Sequence, residues 1–163
     1  VAALVITMVC CWFLKLKYAL GAVSALIHDV MITVGAFAIA NKEFDLTVVA
    51  ALLTIIGYSL NDTIIVFDRI RENLRKGKRR EFAEVVNASI NQTLSRTILT
   101  SGTTLAVVTA LFILGGGVIH DFAFALIVGV LVGTYSSIFV ASPVLIAWET
   151  KFANTRVRAT AKS

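Results

Sequence analysis

From residue 97 to residue 119 no side chain carries a charge. A helix needs roughly 20 apolar residues to cross a hydrocarbon core of about 30 Å, so a run of this kind spans a membrane or sits inside a very large core. The chain offers five such runs, at 1–14, 18–40, 46–67, 97–119 and 122–148. It has 163 residues, 58% hydrophobic and 15% charged, where an average soluble domain is nearer a quarter charged. The expected fold is therefore an all-α polytopic membrane protein, a five-helix transmembrane bundle. The run at 1–14 is short and opens without methionine on an apolar residue, which reads as the remainder of a truncated helix. It lacks the basic start and small-residue cleavage site of a signal peptide.

Charge placement orients the bundle. All but two of the fifteen Lys and Arg residues fall in segments 15–17, 69–80 and 151–162; the exceptions are Lys42 and Arg96. By the positive-inside rule those three segments and the C-terminus are cytoplasmic, and residues 42–45 and 115–121 face outward. The net charge of +5 is accounted for by membrane-side loops and calls for no nucleic acid. Residues 68–92 place Phe82, Val85, Val86 and Ile90 at helical spacing opposite a charged set, as in an amphipathic helix at the cytoplasmic surface, with a break at Gly77. Such a helix suits anionic membrane lipid, a ribosome or a partner subunit, or simply connects two spans. Residues 149–163 form a basic tail.

Asp62 lies inside the apolar run I-I-G-Y-S-L-N-D-T-I-I-V-F-D-R-I-R-E-N, residues 55–73. A buried charge there is costly unless compensated. At 100° per residue Tyr58, Ser59 and Asp62 share a helix face, with Asn61 and Thr63 on its flanks. The following span opens with Ser89, Gln92, Thr93, Arg96, Thr100 and Thr103 at spacings of three and four, a polar stripe centred on Arg96. The two helices are antiparallel, so Asp62 and Arg96 are expected at one depth. His28 and Asp29 lie roughly 16 Å into their own helix, near the midplane; their side chains serve as a hydrogen-bonded support or handle an ion directly. Gly129, Gly133, Ser136 and Ser137 form a small-residue face suited to close helix packing, and Pro143 should kink that helix.

Several chemistries find no support. Cys10 and Cys11 are adjacent and cannot join distant elements, and no His/Cys spacing of a metal site is present. No phosphate-binding glycine loop or nucleophile elbow occurs. A protease built on Asp29 and Asp62 is disfavoured, because S-L-N rather than Gly-x-Gly precedes Asp62. The expectation is thus a protein that is not an enzyme and carries no cofactor. A carboxylate in low dielectric beside a movable guanidinium is instead a proton switch: desolvation disfavours its charged form and the cation favours it. Protons then act as the coupling ion, with Asp62 and Arg96 as the switch.

Residues 55–73, N-Q-T-L-S-R-T-I-L-T-S-G-T-T-L at 91–105 and G-T-Y-S-S-I-F-V-A-S-P at 133–143 closely resemble signature segments of the SecF branch of the SecD/SecF family, within the RND superfamily. The resemblance implies a proton-motive-force-coupled accessory subunit of Sec-dependent export in the bacterial inner membrane. It implies Asp62 as the proton-handling carboxylate, Arg96 as its basic partner and Thr100 one turn beyond. The implied partners are SecD, separate or fused upstream, the Sec translocon channel and preprotein substrates. A first helix and a periplasmic domain would precede the region seen here. An RND-like small-molecule exporter and a passive scaffold subunit are the alternatives.

Overall fold

The structure, a computed structural model, describes residues 16–76 and 81–160. Its elements are α1 (Leu16–Ile39), α2 (Leu46–Arg75), α3 (Phe82–Leu114), α4 (Gly117–Ser136), a π-helical turn (Ser137–Ala141) and α5 (Ser142–Thr160). Among the described residues four stretches are long and apolar enough to cross a membrane: Tyr18–Ile39, Leu46–Arg75, Phe82–Leu114 and Ile119–Lys151. The expected fifth span, 1–14, with Cys10 and Cys11, lies outside the described residues. Four spans of one chain make this a multi-pass membrane protein.

The amphipathic segment expected at 68–92 is divided. Residues 68–75 prolong α2, because Ile70 is fully buried beside Phe67 and Val66 in one core cluster. Phe82, Val85 and Val86 open α3, which continues without a break to Leu114. Val86 belongs to the same cluster, with Phe82 and Ile90 packed against it. Those apolar residues meet α2 instead of a lipid surface. At 1.5 Å per residue the 33-residue α3 is about 50 Å long, well beyond the hydrocarbon thickness, so part of it must project into water.

The turn between α1 and α2 carries both of its caps. Asn41 adopts a left-handed conformation (φ 48°), and Lys42 N–H donates to Phe37 O at 3.2 Å, satisfying a carbonyl at the end of α1. Asp45 caps α2 by accepting from the backbone N–H groups of Thr47 and Val48, each at 3.0 Å, as an N-cap aspartate does. The hydrogen bond from the Thr47 hydroxyl, then that from Val48 N–H, hold the Asp45 carboxyl below its ordinary range.

The last span is widened where Pro143 enters it. Proline has no N–H to return to the carbonyl of Phe139 four residues earlier, and the π turn occupies this place. Ser142 Oγ donates to Ser137 O at 3.3 Å, and Ser137 Oγ to Thr134 O at 3.0 Å.

Two apolar clusters hold the bundle. One joins Tyr18, Ala25, Phe67, Ile70, Val86 and Leu145; the other joins Phe37, Val48, Ile55, Val108, Ala123 and Leu126. Between the two clusters, four helices bury polar or small residues: Asp29 and Thr33 on α1, Ser59, Asp62 and Thr63 on α2, Thr97 and Ser101 on α3, Gly133 and Ser136 on α4. A polar layer is thus sealed above and below by hydrocarbon.

Candidate functional site

The helical repeat sets this layer. Residues four apart advance by only about 40° around a helix, so Ser89, Thr93, Thr97 and Ser101 make one slowly drifting stripe, and all four are buried. The stripe expected from the sequence was centred one residue away. Gln92, Arg96, Thr100 and Thr103 are exposed on the bundle surface, the first three about 100° round α3 from the buried line and Thr103 farther still. Ser89 and Thr93 belong to both descriptions. The buried line is the one that meets α2.

Asp62 is 4% exposed. Its Oδ1 lies 3.5 Å from Thr97 Oγ1, a long contact, and its Oδ2 has no hydrogen-bond partner. Buried polar atoms are nearly always paired, so an open carboxylate oxygen marks a place where a proton, a water or another polar group fits. No ion pair joins Asp62 to Arg96 among the described residues. Arg96 stands one residue before Thr97, level with Asp62 but turned to the bundle exterior, and Thr100 Oγ1 donates to Arg96 O at 2.8 Å. A guanidinium exposed at that depth must reach an aqueous interface or a neighbouring chain.

The supporting residues divide by face. Tyr58 OH donates to Ser101 Oγ at 3.1 Å, and Ser101 pairs with Thr134 Oγ1 of α4 at 2.7 Å, so one serine links three helices. Ser59 Oγ donates to Asp29 Oδ2 at 2.5 Å, and Asp29 Oδ1 lies 3.1 Å from His28 Nδ1. Asn61 is exposed. Gly133 faces this pair, since a Cβ on it would lie 3.3 Å from Ser59 Cβ and 3.7 Å from Asp29 Oδ2. Gly129 abuts Ile55 so closely that a Cβ would overlap its side chain. Ser136 and Ser137 are fully buried. Sequence reasoning missed Thr97, Ser101 and Thr134; the uninterrupted four-residue spacing 89-93-97-101 was the available signal, obscured by Arg96 beside it.

Two further sets of contacts close the ends. At the end rich in arginine, Gln92 Oε1 accepts from Arg69 Nε at 2.7 Å and from Asn73 Nδ2 at 3.0 Å, and Asn73 also donates to Ser89 Oγ at 2.8 Å. At the opposite end Lys42 pairs with Asp121 and lies 5.3 Å from the Phe124 ring centroid. There His120 stacks on Phe112, with centroids 4.0 Å apart.

The sequence pattern of the family described as "Protein export membrane protein SecD/SecF, C-terminal" matches residues 1–151. The chain belongs to the SecD/SecF family. Among its curated relatives, the protein translocase subunit SecF of Vibrio alginolyticus is 64% identical over 126 residues, covering 77% of this chain and 40% of that protein. The SecF subunit of Rhodothermus marinus is 59% identical over 152 residues, covering 90% of this chain and 49% of the relative. The backbone is similar to a crystal structure of SecDF in a super-membrane-facing form, with a TM-score of 0.90 and 43% identity over 99% of this chain and 22% of that one. For the translocon-associated SecDF from Thermus thermophilus the TM-score is 0.86 and the identity 48%, covering 89% of this chain and 20% of the other. The chain thus spans less than half the length of these SecF relatives and about a fifth of the SecDF chains.

Proposed function

We propose that this chain is the membrane-embedded, proton-coupled part of a SecF-type subunit that assists Sec-dependent protein export together with SecD in the bacterial cytoplasmic membrane. Asp62 carries the proton. Arg96 supplies the compensating charge, approaching when Asp62 is ionised and withdrawing when it is neutral, and Thr100 steadies the α3 backbone at Arg96. Protons are the coupling ion, and the subunit performs no covalent chemistry. Lys42 and Asp121 face outward, while the Arg69–Lys76 end and the C-terminus are cytoplasmic. The translocon channel and preproteins are engaged through other parts of the assembly.

The observation that supports this reading best is the unpartnered Oδ2 of Asp62 in a layer closed by two apolar clusters. A purely structural aspartate would be satisfied at both oxygens. Titration and conformation are then linked, because a state that satisfies the anion binds fewer protons. The test is release of preprotein from spheroplasts with and without a proton gradient. Asp62→Asn and Arg96→Ala in the full-length protein should each abolish the gradient-dependent part of release. Full retention in both variants would sink the proposal, and drug hypersensitivity on deletion with normal release would point to a small-molecule exporter.

A further inference from the structure

A second buried carboxylate remains, and the relay does not use it. Asp29 is 1% exposed, its polar contacts are His28 Nδ1 and Ser59 Oγ, and no Lys or Arg forms an ion pair with it among the described residues. The elements packed against α1 bring little charge near it. From α2 the facing groups are Ser59 and, one turn on, Asp62; from α4 Gly133 offers only backbone beside Asp29 Oδ2. The sequence from Ser136 to Trp148 contains no acidic, basic or histidine side chain, so the π turn and the adjoining start of α5 add none. Compensation for Asp29 must come from His28.

The proton occupancies of this pair are not equivalent. With no such proton the carboxylate keeps its contacts to Ser59 Oγ and His28 Nδ1 but is a net charge without a cation in a low-dielectric layer, which is costly. With one proton the pair is neutral overall, the proton resting on the imidazole or on the carboxyl. With two protons His28 becomes an uncompensated cation, although its side chain is 31% exposed. One proton is therefore the favoured occupancy. It moves across the 3.1 Å contact by breaking one N–H bond and forming one O–H bond, and the exposed imidazole edge connects it to the bundle surface. The Ser59 hydroxyl donates to Oδ2 when that oxygen is anionic and accepts from it when the proton sits there.

We propose that His28 and Asp29 hold a second exchangeable proton, and that Ser59 couples its position to the helix carrying Asp62. Ser59 and Asp62 are three residues apart on α2, about 4.5 Å along its axis. Rotation of the Ser59 hydroxyl therefore occurs within one turn of the proposed relay carboxylate. The coupling rests on the proposed proton role of Asp62, whereas the occupancy of Asp29 does not.

The test is infrared difference spectroscopy of the full-length protein, with its membrane partner, in lipid vesicles titrated over pH. Protonated carboxyl groups give C=O stretching bands that shift in heavy water. The native protein should show separate contributions from Asp29 and Asp62, the first lost in Asp29→Asn and the second in Asp62→Asn. His28→Gln and Ser59→Ala should each shift the frequency of the Asp29 band, since each removes one of its hydrogen-bond partners. An Asp29→Asn spectrum identical to that of the native protein throughout the titration overturns the proposal. If that variant does not assemble, Asp29→Glu keeps the carboxyl: a moved band supports the inference and an unmoved set of bands overturns it. An Asp29 band present while none belongs to Asp62 would leave this occupancy standing and remove the proposed relay.

Discussion

Ser59 Oγ meets Asp29 Oδ2 at 2.5 Å one turn before Asp62 on the same helix, so the two buried carboxylates of the bundle hang on a single face of α2. A rotation of α2 that changes the Asp62–Thr97 contact must also strain or release the Asp29–Ser59 contact. Packing prevents such a rotation from being gradual, because Ile55 is locked over Gly129 and Ile70 is fully buried. Close-packed interfaces of this kind switch between discrete arrangements.

Thr97→Val tests the one hydrogen bond made to the Asp62 side chain among the described residues. The substitution keeps the shape and removes the hydroxyl, leaving Oδ1 as open as Oδ2. An unsatisfied buried acceptor costs about 1–3 kcal/mol. Gradient-dependent preprotein release should fall, though less than in Asp62→Asn, and Thr97→Ser should restore it. Release by Thr97→Val equal to that of the native protein would show that this contact plays no part.

Much of this was legible in the chain, and the losses have physical causes. The apolar runs located each of the four described spans, because length and hydrophobicity are imposed by the bilayer, although α3 starts at Phe82, well before the run at 97–119. The ends were less legible: α2 runs on through Asp68–Arg75 since Ile70 finds a buried seat, a tertiary fact that local charge conceals. Asp62, Ser59 and Asp29 could be singled out because polar atoms in apolar runs are conspicuous. Which of Arg96 and Thr97 faces Asp62 could not, as they differ by about 100° of helix rotation and both continue a polar pattern. The Asp29–Ser59 bond joins residues 30 apart, and no local pattern announces it.

Gly129→Ala should be the more damaging of the two glycine substitutions on α4. Its Cβ would overlap the Ile55 side chain, whereas at Gly133 the nearest atom is Ser59 Cβ at 3.3 Å. Overpacking a tight interface costs about 1–3 kcal/mol, measurable as a lowered unfolding midpoint in detergent. Ile55→Val or Ile55→Ala in the Gly129→Ala background should recover part of the loss. Equal damage by both glycine variants, with no rescue, would refute the specific contact.

The start of α2 should loosen in acid. Hydrogen bonds from the Thr47 hydroxyl and Val48 N–H hold the Asp45 carboxyl below its ordinary value of 3.8. A depressed folded value means that the stabilisation is fully present above the unfolded value and fades as pH falls through the folded one. Amide exchange at Thr47 and Val48, corrected for the intrinsic pH dependence, should therefore speed up only below the ordinary carboxylate range. Asp45→Ala should show the faster exchange at neutral pH, and Asp45→Asn should lie between the two because asparagine still caps.

Lys42 and Asp121 tie the α1–α2 turn to the start of α4, and their pairing should be measurable but small. Both side chains keep contact with solvent, at 22% and 33% exposure, so screening limits the Coulomb gain; exposed pairs contribute about 0.2–1 kcal/mol. Lys42 also lies over the Phe124 ring, a contact that charge removal at Asp121 would leave intact. Lys42→Met should accordingly destabilise more than Asp121→Asn, since it loses both the ion pair and the ring contact. A double-mutant cycle between the two isolates the pairwise term, which should shrink as salt is raised. A coupling of zero at low salt would mean that the ring contact alone holds Lys42 in place.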